Sequence, residues 1–179
     1  MKKINVIDLD KTLLPYDSFT QYLYLFLKKG SIKLLFVIII RVLRILKEES
    51  FKKRAINLCR KQPNYDLILN SFVNKLMKDI DNSLHRKVKT YTDEETINVL
   101  CSASPDDYVN KLADRLKWIG IGSSIENDNL THMYGQNKKK AIEKLYPKSQ
   151  FMYNYAISDS ESDMILLDMF AHKELIKIV

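Results

Sequence analysis

Asp8 and Asp10 close a short apolar run near the amino terminus, Ser102 and Ser104 follow a second such run, and Asp159 and Asp163 follow a third; Lys138 opens a stretch with helical spacing. In an open parallel sheet, ligands bind beyond the carboxyl ends of the strands, so polar residues at those places are the ones a ligand meets. Three or four carboxylates brought to one point repel one another, and burial drives them toward protonation. A hard cation relieves the conflict. Mg2+ takes oxygen ligands and is held by one or two carboxylates together with water and substrate phosphate. A lysine, a hydroxyl and helix N-terminal amides at the same rim suit a phosphate dianion. Residues of these types in this order point to a phosphate ester handled beside Mg2+.

Singly, each residue has a plainer reading. An aspartate after a strand is often a turn or a helix cap, but a carboxylate inside an apolar strand costs about 2 kcal/mol or more when unpaired. Ser104 reads as the N-cap of a helix opening at Pro105, which leaves Ser102 as the phosphate ligand. Asp159 and Asp163 also suit the positive end of a helix dipole. Lys138, Lys139 and Lys140 all compete for the rim position; Lys138 fits best because Ala141, Ile142 and Leu145 then share one helix face. His85, His132 and His172 have no spacing that makes a zinc site or a nucleophile triad.

The elements that must carry these residues are an α/β core and an insertion. Ile4 to Leu9 reads as a buried central strand. Asp17 or Ser18 caps a helix that stops at Gly30, and a second helix begins near Ser31. Its run Leu34 to Ile40 is apolar nearly all round, yet Arg41 interrupts it well short of the roughly 20 residues a membrane span needs. A buried or interfacial helix is the expectation, with the segment 31–47 contacting either a membrane surface or a second subunit. Helical spacing continues over Phe51 to Cys59 and Tyr65 to Leu84. From Thr96 the pattern alternates: strand 97–101, helix 105–116, short strands 119–126 and 130–134, helix 138–145, strand 151–157, helix 162–170 and a last strand 175–179. Such alternation implies right-handed crossovers and a parallel sheet. The expected fold is a three-layer Rossmann-like core over residues 1–14 and 88–179, interrupted after its first strand by an all-helical cap over 15–87.

The bulk numbers agree with one globular unit. The 179 residues are 46% hydrophobic and 28% charged, and only four Gly and four Pro argue against long disordered stretches. The net charge of +7 attracts anionic partners in general, but the cations lie mostly singly on solvated helix faces, so no nucleic-acid partner is expected. Two isolated cysteines, Cys59 and Cys101, make neither a disulfide framework nor a thiolate metal site, and the N-terminal run lacks the features of a secretion signal. A cytoplasmic location is the expectation.

The run Asp8-Leu9-Asp10-Lys11-Thr12-Leu13 after an apolar strand resembles the DxDxT motif of haloacid dehalogenase (HAD) superfamily phosphatases. Ser102 is similar to their second motif, Lys138 to the third, and Asp159 with Asp163 to the fourth, in matching order. The helical insertion, the stretch Ser102 to Pro105 and the stretch Ser123 to Glu126 resemble the phosphoserine phosphatase-like branch, of subfamily IB type with a helical cap. The resemblance implies that Asp8 attacks phosphorus and that Asp10 protonates the leaving group and later activates water. It implies Mg2+ on the Asp8 carboxylate, the Asp10 main-chain carbonyl and Asp159, phosphoryl oxygens on Ser102 and Lys138, and support from Thr12 and Asp163. Asp17 sits where related phosphatases place a carboxylate that meets the substrate, a place equally suited to an N-cap. Ser158 stands where the family usually has Gly. A small phosphorylated metabolite is the substrate class implied. A phosphotransferase on the same core and a non-catalytic membrane-surface module are the competing readings.

Overall fold

The computed structural model describes residues 1–176. Strand β1 (Lys2–Ile7) is one of the two central strands of six in the order β4-β3-β2-β1-β5-β6. β2 (Thr96–Pro105), β3 (Ile119–Glu126), β5 (Phe151–Ser158) and β6 (His172–Leu175) run parallel to their neighbours in this order, and only β4 (Asn129–Thr131) is antiparallel, pairing with β3. Helices α6 (Asp106–Leu116), α7 (Gln136–Leu145) and the single turn α8 (Met164–Leu167) join the strands. The mixed α/β, Rossmann-like fold expected from the alternating pattern is the one observed.

β1 is buried because its side chains find apolar partners on both faces. Ile7 joins a cluster with Leu100, Tyr108 and Tyr155, while Ile4 and Val6 join another with Val99, Ile142 and Ala156. Burying each such side chain stabilises by about 1.5–3 kcal/mol. The one buried polar side chain of the strand, Asn5, is satisfied across three strands: its Nδ2 donates to Asn98 Oδ1 at 2.8 Å, and Asn154 Nδ2 donates to its Oδ1 at 2.9 Å. That network favours one register, in which Ile7 stands opposite both Leu100 and Ile157. Asp8, the end of β2 and the end of β5 are thereby brought to one edge of the sheet. Gly122 lets α6 lie close on β3, since a Cβ there would stand 2.6 Å from the Asp106 backbone.

Five helices occupy the insertion: α1 (Ser18–Lys28), α2 (Ile32–Val42), α3 (Glu48–Arg60), α4 (Tyr65–Asp79) and α5 (Asn82–Thr90). Gly30, at φ 87°, follows the end of α1 where a stop was expected. The helix read over Tyr65 to Leu84 is broken at Ile80, whose extended backbone (φ −58°, ψ 132°) lets Asp81 accept from the amides of Ser83 and Leu84 and start a new helix. α5 then returns to the core. Asp81 N donates to Leu13 O, and Lys87 pairs with Glu174 of β6 at 2.5 Å, so the cap boundary expected at residue 87 falls inside a helix that packs beside the sheet. The insertion is not a detached lid: Tyr22, Phe26 and Phe72 share one core with Tyr108 and Leu112 of α6. The helix expected over 162–170 is shortened to a tight turn, Glu161–Asp163, and α8. The last strand begins earlier than expected, at His172, and residues 177–179 of the expected strand lie outside the described residues.

Candidate active site

Immediately after β1 the chain makes one wide turn, Leu9–Leu13, closed by Leu13 N to Asp8 O and Leu14 N to Leu9 O. Lys11 takes a left-handed conformation (φ 55°) within it. The turn directs Asp8 and Asp10 to different partners. One oxygen of Asp8 accepts from Lys138 Nζ at 2.5 Å and the other from Thr12 Oγ1 at 3.1 Å. Asp10 accepts from Ser18 N and from Ser104 Oγ, each at 2.6 Å, and more distantly from Ser102 Oγ at 3.4 Å. Thr12 has a second task, its Oγ1 accepting from Asp159 N at 3.0 Å, which ties the first strand end to the fourth motif.

Of the three consecutive lysines, Lys138 alone is buried. Lys139 faces Glu143 at 3.9 Å along the outer side of α7. The Lys138 ammonium lies between Asp8 and Asp163 Oδ2, the latter at 2.6 Å. Burial opposes its charge, yet the two carboxylates hold its pKa above the ordinary lysine value. Ser158, where resembling sequences carry Gly, donates its hydroxyl to the same Asp163 oxygen at 2.7 Å. The substitution thus supplies a hydrogen bond that fixes Asp163 under Lys138.

Charge in this pocket does not balance. Two carboxylates face one ammonium, and Asp10 and Asp159 stand nearby. Burial, partly offset by Lys138, pushes the Asp8 carboxyl up to about 6. Burial likewise raises Asp10 against the hydrogen bonds from Ser104 and Ser18, and raises Asp159. Asp163 Oδ1 is the one buried side-chain nitrogen or oxygen without a hydrogen-bond partner among the described residues. An excess of carboxylates, oxygen donors alone and an orphaned buried oxygen are what a hard dication and its waters would complete. No three His, Cys, Asp or Glu side chains among the described residues converge as a ligand set, so the expected meeting of three or four carboxylates is not found. The reason lies in their partners: Asp163 is turned to Lys138 and Ser158, and Asp10 to serines. The groups that could hold Mg2+ here are the Asp8 carboxylate, the Asp10 carbonyl and Asp159, a set with two carboxylates, as such sites use.

One expectation changes. Ser104 does not cap α6: β2 runs on through Pro105, whose extended backbone (φ −54°, ψ 133°) keeps Ser104 in the strand with its hydroxyl on Asp10. Asp17 caps α1, its Oδ1 accepting from Thr20 N at 2.6 Å, and its side chain is exposed. Sequence reading also missed Ser18, which holds Asp10 through its backbone amide and meets Ser104 Oγ and Tyr108 OH through its hydroxyl. Lys52 of α3 was missed too. It is buried, and its Nζ donates to Ala103 O at 3.0 Å and meets His132 Nε2 at 2.9 Å, pinning the insertion to the strand end between the two serines. Lys52 stands on the buried face of α3 with Ala55, Ile56 and Cys59, at i, i+3, i+4 and i+7, so a lysine in the apolar register was the signal that could have found it.

No protein-family model and no curated protein matches the sequence. Solved structures do. A HAD family hydrolase from Salmonella enterica serovar Typhi superposes with a TM-score of 0.69 at 16% identity, over 94% of this chain and 60% of that one. A protein of unknown function from Bordetella pertussis gives 0.71 at 15% identity, over 97% of this chain and 89% of that one. A phosphoserine phosphatase with an analogue of its phospho-aspartyl intermediate gives 0.59 at 16% identity, over 96% of this chain and 85% of that one. The chain therefore spans less than two thirds of the Salmonella protein and most of the other two. At these identities the likeness shows the fold, that of HAD hydrolases and phosphoserine phosphatases, and agrees with the resemblance read from the motifs.

Proposed function

We propose that the chain is a cytoplasmic Mg2+-dependent phosphomonoesterase that works through a phosphoaspartyl intermediate on Asp8. The observation that carries this reading is the buried Lys138 ammonium held between Asp8 and Asp163, beside an Asp10 that is bonded to neither. Burial raises both carboxyls, but Asp8 alone faces a cation, Lys138, which opposes its protonation and aims it as a nucleophile requires, while Asp10 is held by hydroxyl and amide donors without a cation, as suits a group that gives and then takes a proton. Two carboxylates in environments that differ in this way take different roles.

In the first step an Asp8 oxygen attacks phosphorus, the ester P–O bond breaks, and Asp10 gives its proton to the departing alkoxide. Lys138 and Ser102 hold phosphoryl oxygens meanwhile. In the second step Asp10, now a carboxylate, takes a proton from water, the water oxygen bonds phosphorus, and the Asp8–phosphorus bond breaks to release inorganic phosphate. Ser104 and Ser18 keep Asp10 in place through both steps. Bound by the Asp8 carboxylate, the Asp10 carbonyl and Asp159, Mg2+ would neutralise the charge that otherwise repels a phosphate dianion from the nucleophile. The helices of the insertion act as the cap, with Asp17 at its entrance and a small phosphorylated metabolite as substrate. Hydrolysis of a chromogenic phosphate monoester tests the reading: activity that is lost on exhaustive chelation and restored by Mg2+ supports it, and an inert wild-type protein in excess Mg2+ across a panel of phosphorylated metabolites refutes it.

A further inference from the structure

α2 is built inside out. Its inner side is held by Leu34 and Ile38, which pack on the core. Its outer side carries Ile32, Leu35, Phe36, Ile39, Val42 and Leu43, at the spacing i, i+3, i+4, i+7, i+10 and i+11 that lines one face of a helix. These six are between 46% and 81% exposed, and Ile45 just beyond the helix extends the patch. Soluble monomers rarely leave so large a contiguous apolar surface without a partner.

The charges around the patch say what the partner is. Residues 18–47 contain no Asp or Glu, yet carry Lys28, Lys29, Lys33, Arg41, Arg44 and Lys47. Only at its far edge does an anion appear, where Glu48 stands 3.8 Å from Arg41. An apolar stripe framed mostly by cations matches a layer that is apolar inside and anionic at its surface. A second copy of the chain fits poorly, because a two-fold contact through this face would set its cations against their own copies. Spanning is excluded for this helix. Eleven residues rise about 16 Å against a hydrocarbon layer of about 30 Å, and no described helix is long and apolar enough to cross a membrane.

We infer that the outer face of α2 docks the protein on an anionic bilayer surface, the helix lying in the interface with its apolar side in the acyl region and Lys33 and Arg44 at the headgroups. The docking helix belongs to the insertion whose neighbouring helix α3 places Lys52 beside the strand-end serines, so the active site is carried close to the membrane plane.

Flotation of the full chain with vesicles tests this. The wild type should rise with vesicles of mixed phosphatidylglycerol and phosphatidylcholine and stay behind with phosphatidylcholine alone. Binding should weaken between about 0.1 M and about 1 M NaCl, as the Debye length shrinks from ~10 to ~3 Å. Phe36→Glu with Leu43→Glu should remain at the bottom while keeping the wild-type near-ultraviolet circular dichroism. Lys33→Gln with Arg44→Gln leaves the apolar face untouched and should lower the partition coefficient roughly thirtyfold, at the usual contribution of a basic residue near an anionic surface; it decides the matter if the glutamate variant fails to fold. A wild type that never floats overturns the inference, as does equal flotation on both vesicles. Sedimentation showing a dimer that Phe36→Glu with Leu43→Glu dissociates would assign the face to a second copy instead.

Discussion

Lys138 Nζ touches Asp8 at 2.5 Å and Asp163 at 2.6 Å, so one buried ammonium joins a residue at the end of the first strand to one that follows the fifth. A carboxylate buried without a partner is costly, and here one lysine serves both. Together with the lysine they form a buried triad, bonded to Thr12 and Ser158.

Removing the lysine therefore does more than weaken a contact. Lys138→Met leaves two carboxylates facing each other without a cation, and a broken buried ion pair costs about 3–5 kcal/mol. The expected result is a urea midpoint far below that of the wild type near neutral pH, partly recovered when Asp163→Asn is added. A stability equal to the wild type would mean that the pocket is open to water and the triad is not a structural unit.

Asp8→Asn should abolish turnover of phosphate esters, since the amide lacks the attacking charge but keeps the shape. Its effect on stability has the opposite sign. Because the folded carboxyl titrates at about 6 against 3.8 in a free chain, its contribution is fully present below 3.8 and is lost as pH rises through 6. In chelated protein at about pH 8 the amide should therefore unfold later than the wild type, by roughly 2–3 kcal/mol, with the difference vanishing in acid. Residual turnover in a clean preparation would rule out the covalent step.

Asp10→Asn should lower turnover by about a hundredfold or more for esters with poor leaving groups and least for those with good ones, as expected when a general acid is lost. Ser104→Ala should show the same selectivity in weaker form. Because the hydroxyl acts through Asp10, its effect should disappear in the Asp10→Asn background, a non-additivity that a double-mutant cycle reads directly. Equal losses across leaving groups of widely different pKa would take the acid role away from Asp10.

These residues were not equally legible in the sequence. Asp8, Lys138, Asp159 and Asp163 follow from periodicity, because apolar runs reveal where strands end and strand ends reveal where a parallel sheet puts its polar groups. Ser104 was misread since Pro105 carries a genuine helix-start signal that the sheet overrides: pairing of Pro105 with Ser123 extends β2 past the serine. Ser18 escaped because it acts on Asp10 through a main-chain amide that any residue supplies. The break at Ile80 was missed although Asp81, Asn82 and Ser83 are good capping residues, because the apolar spacing of Met77, Ile80 and Leu84 runs through it unbroken. The apolar character of α2 was plain, but whether its surplus face turned inward or outward depends on how much of it Leu34 and Ile38 suffice to anchor, which only packing decides.

Lys52 and His132 make the link between insertion and core depend on pH. The Lys52 ammonium donates to His132 Nε2, so that nitrogen must be unprotonated. Burial, and then the lysine beside it, hold the His132 pKa below the ordinary 6.5 against the opposing pull of Glu48 and Glu49. In the unfolded chain the ring charges at its usual pKa, so below 6.5 the unfolded state binds a proton that the folded state refuses. The stability due to this contact is fully present above 6.5 and is lost as pH falls. His132→Gln keeps a hydrogen-bond acceptor within reach of Lys52 but does not titrate. The urea midpoint of the wild type should therefore drop relative to that of His132→Gln between about pH 7 and about pH 5 and run parallel to it at higher pH. Taking the difference between the two proteins cancels the contribution of His85, whose pKa burial also lowers. A difference that stays constant across the range would mean that His132 charges freely in the folded protein, with Lys52 held by Ala103 O alone.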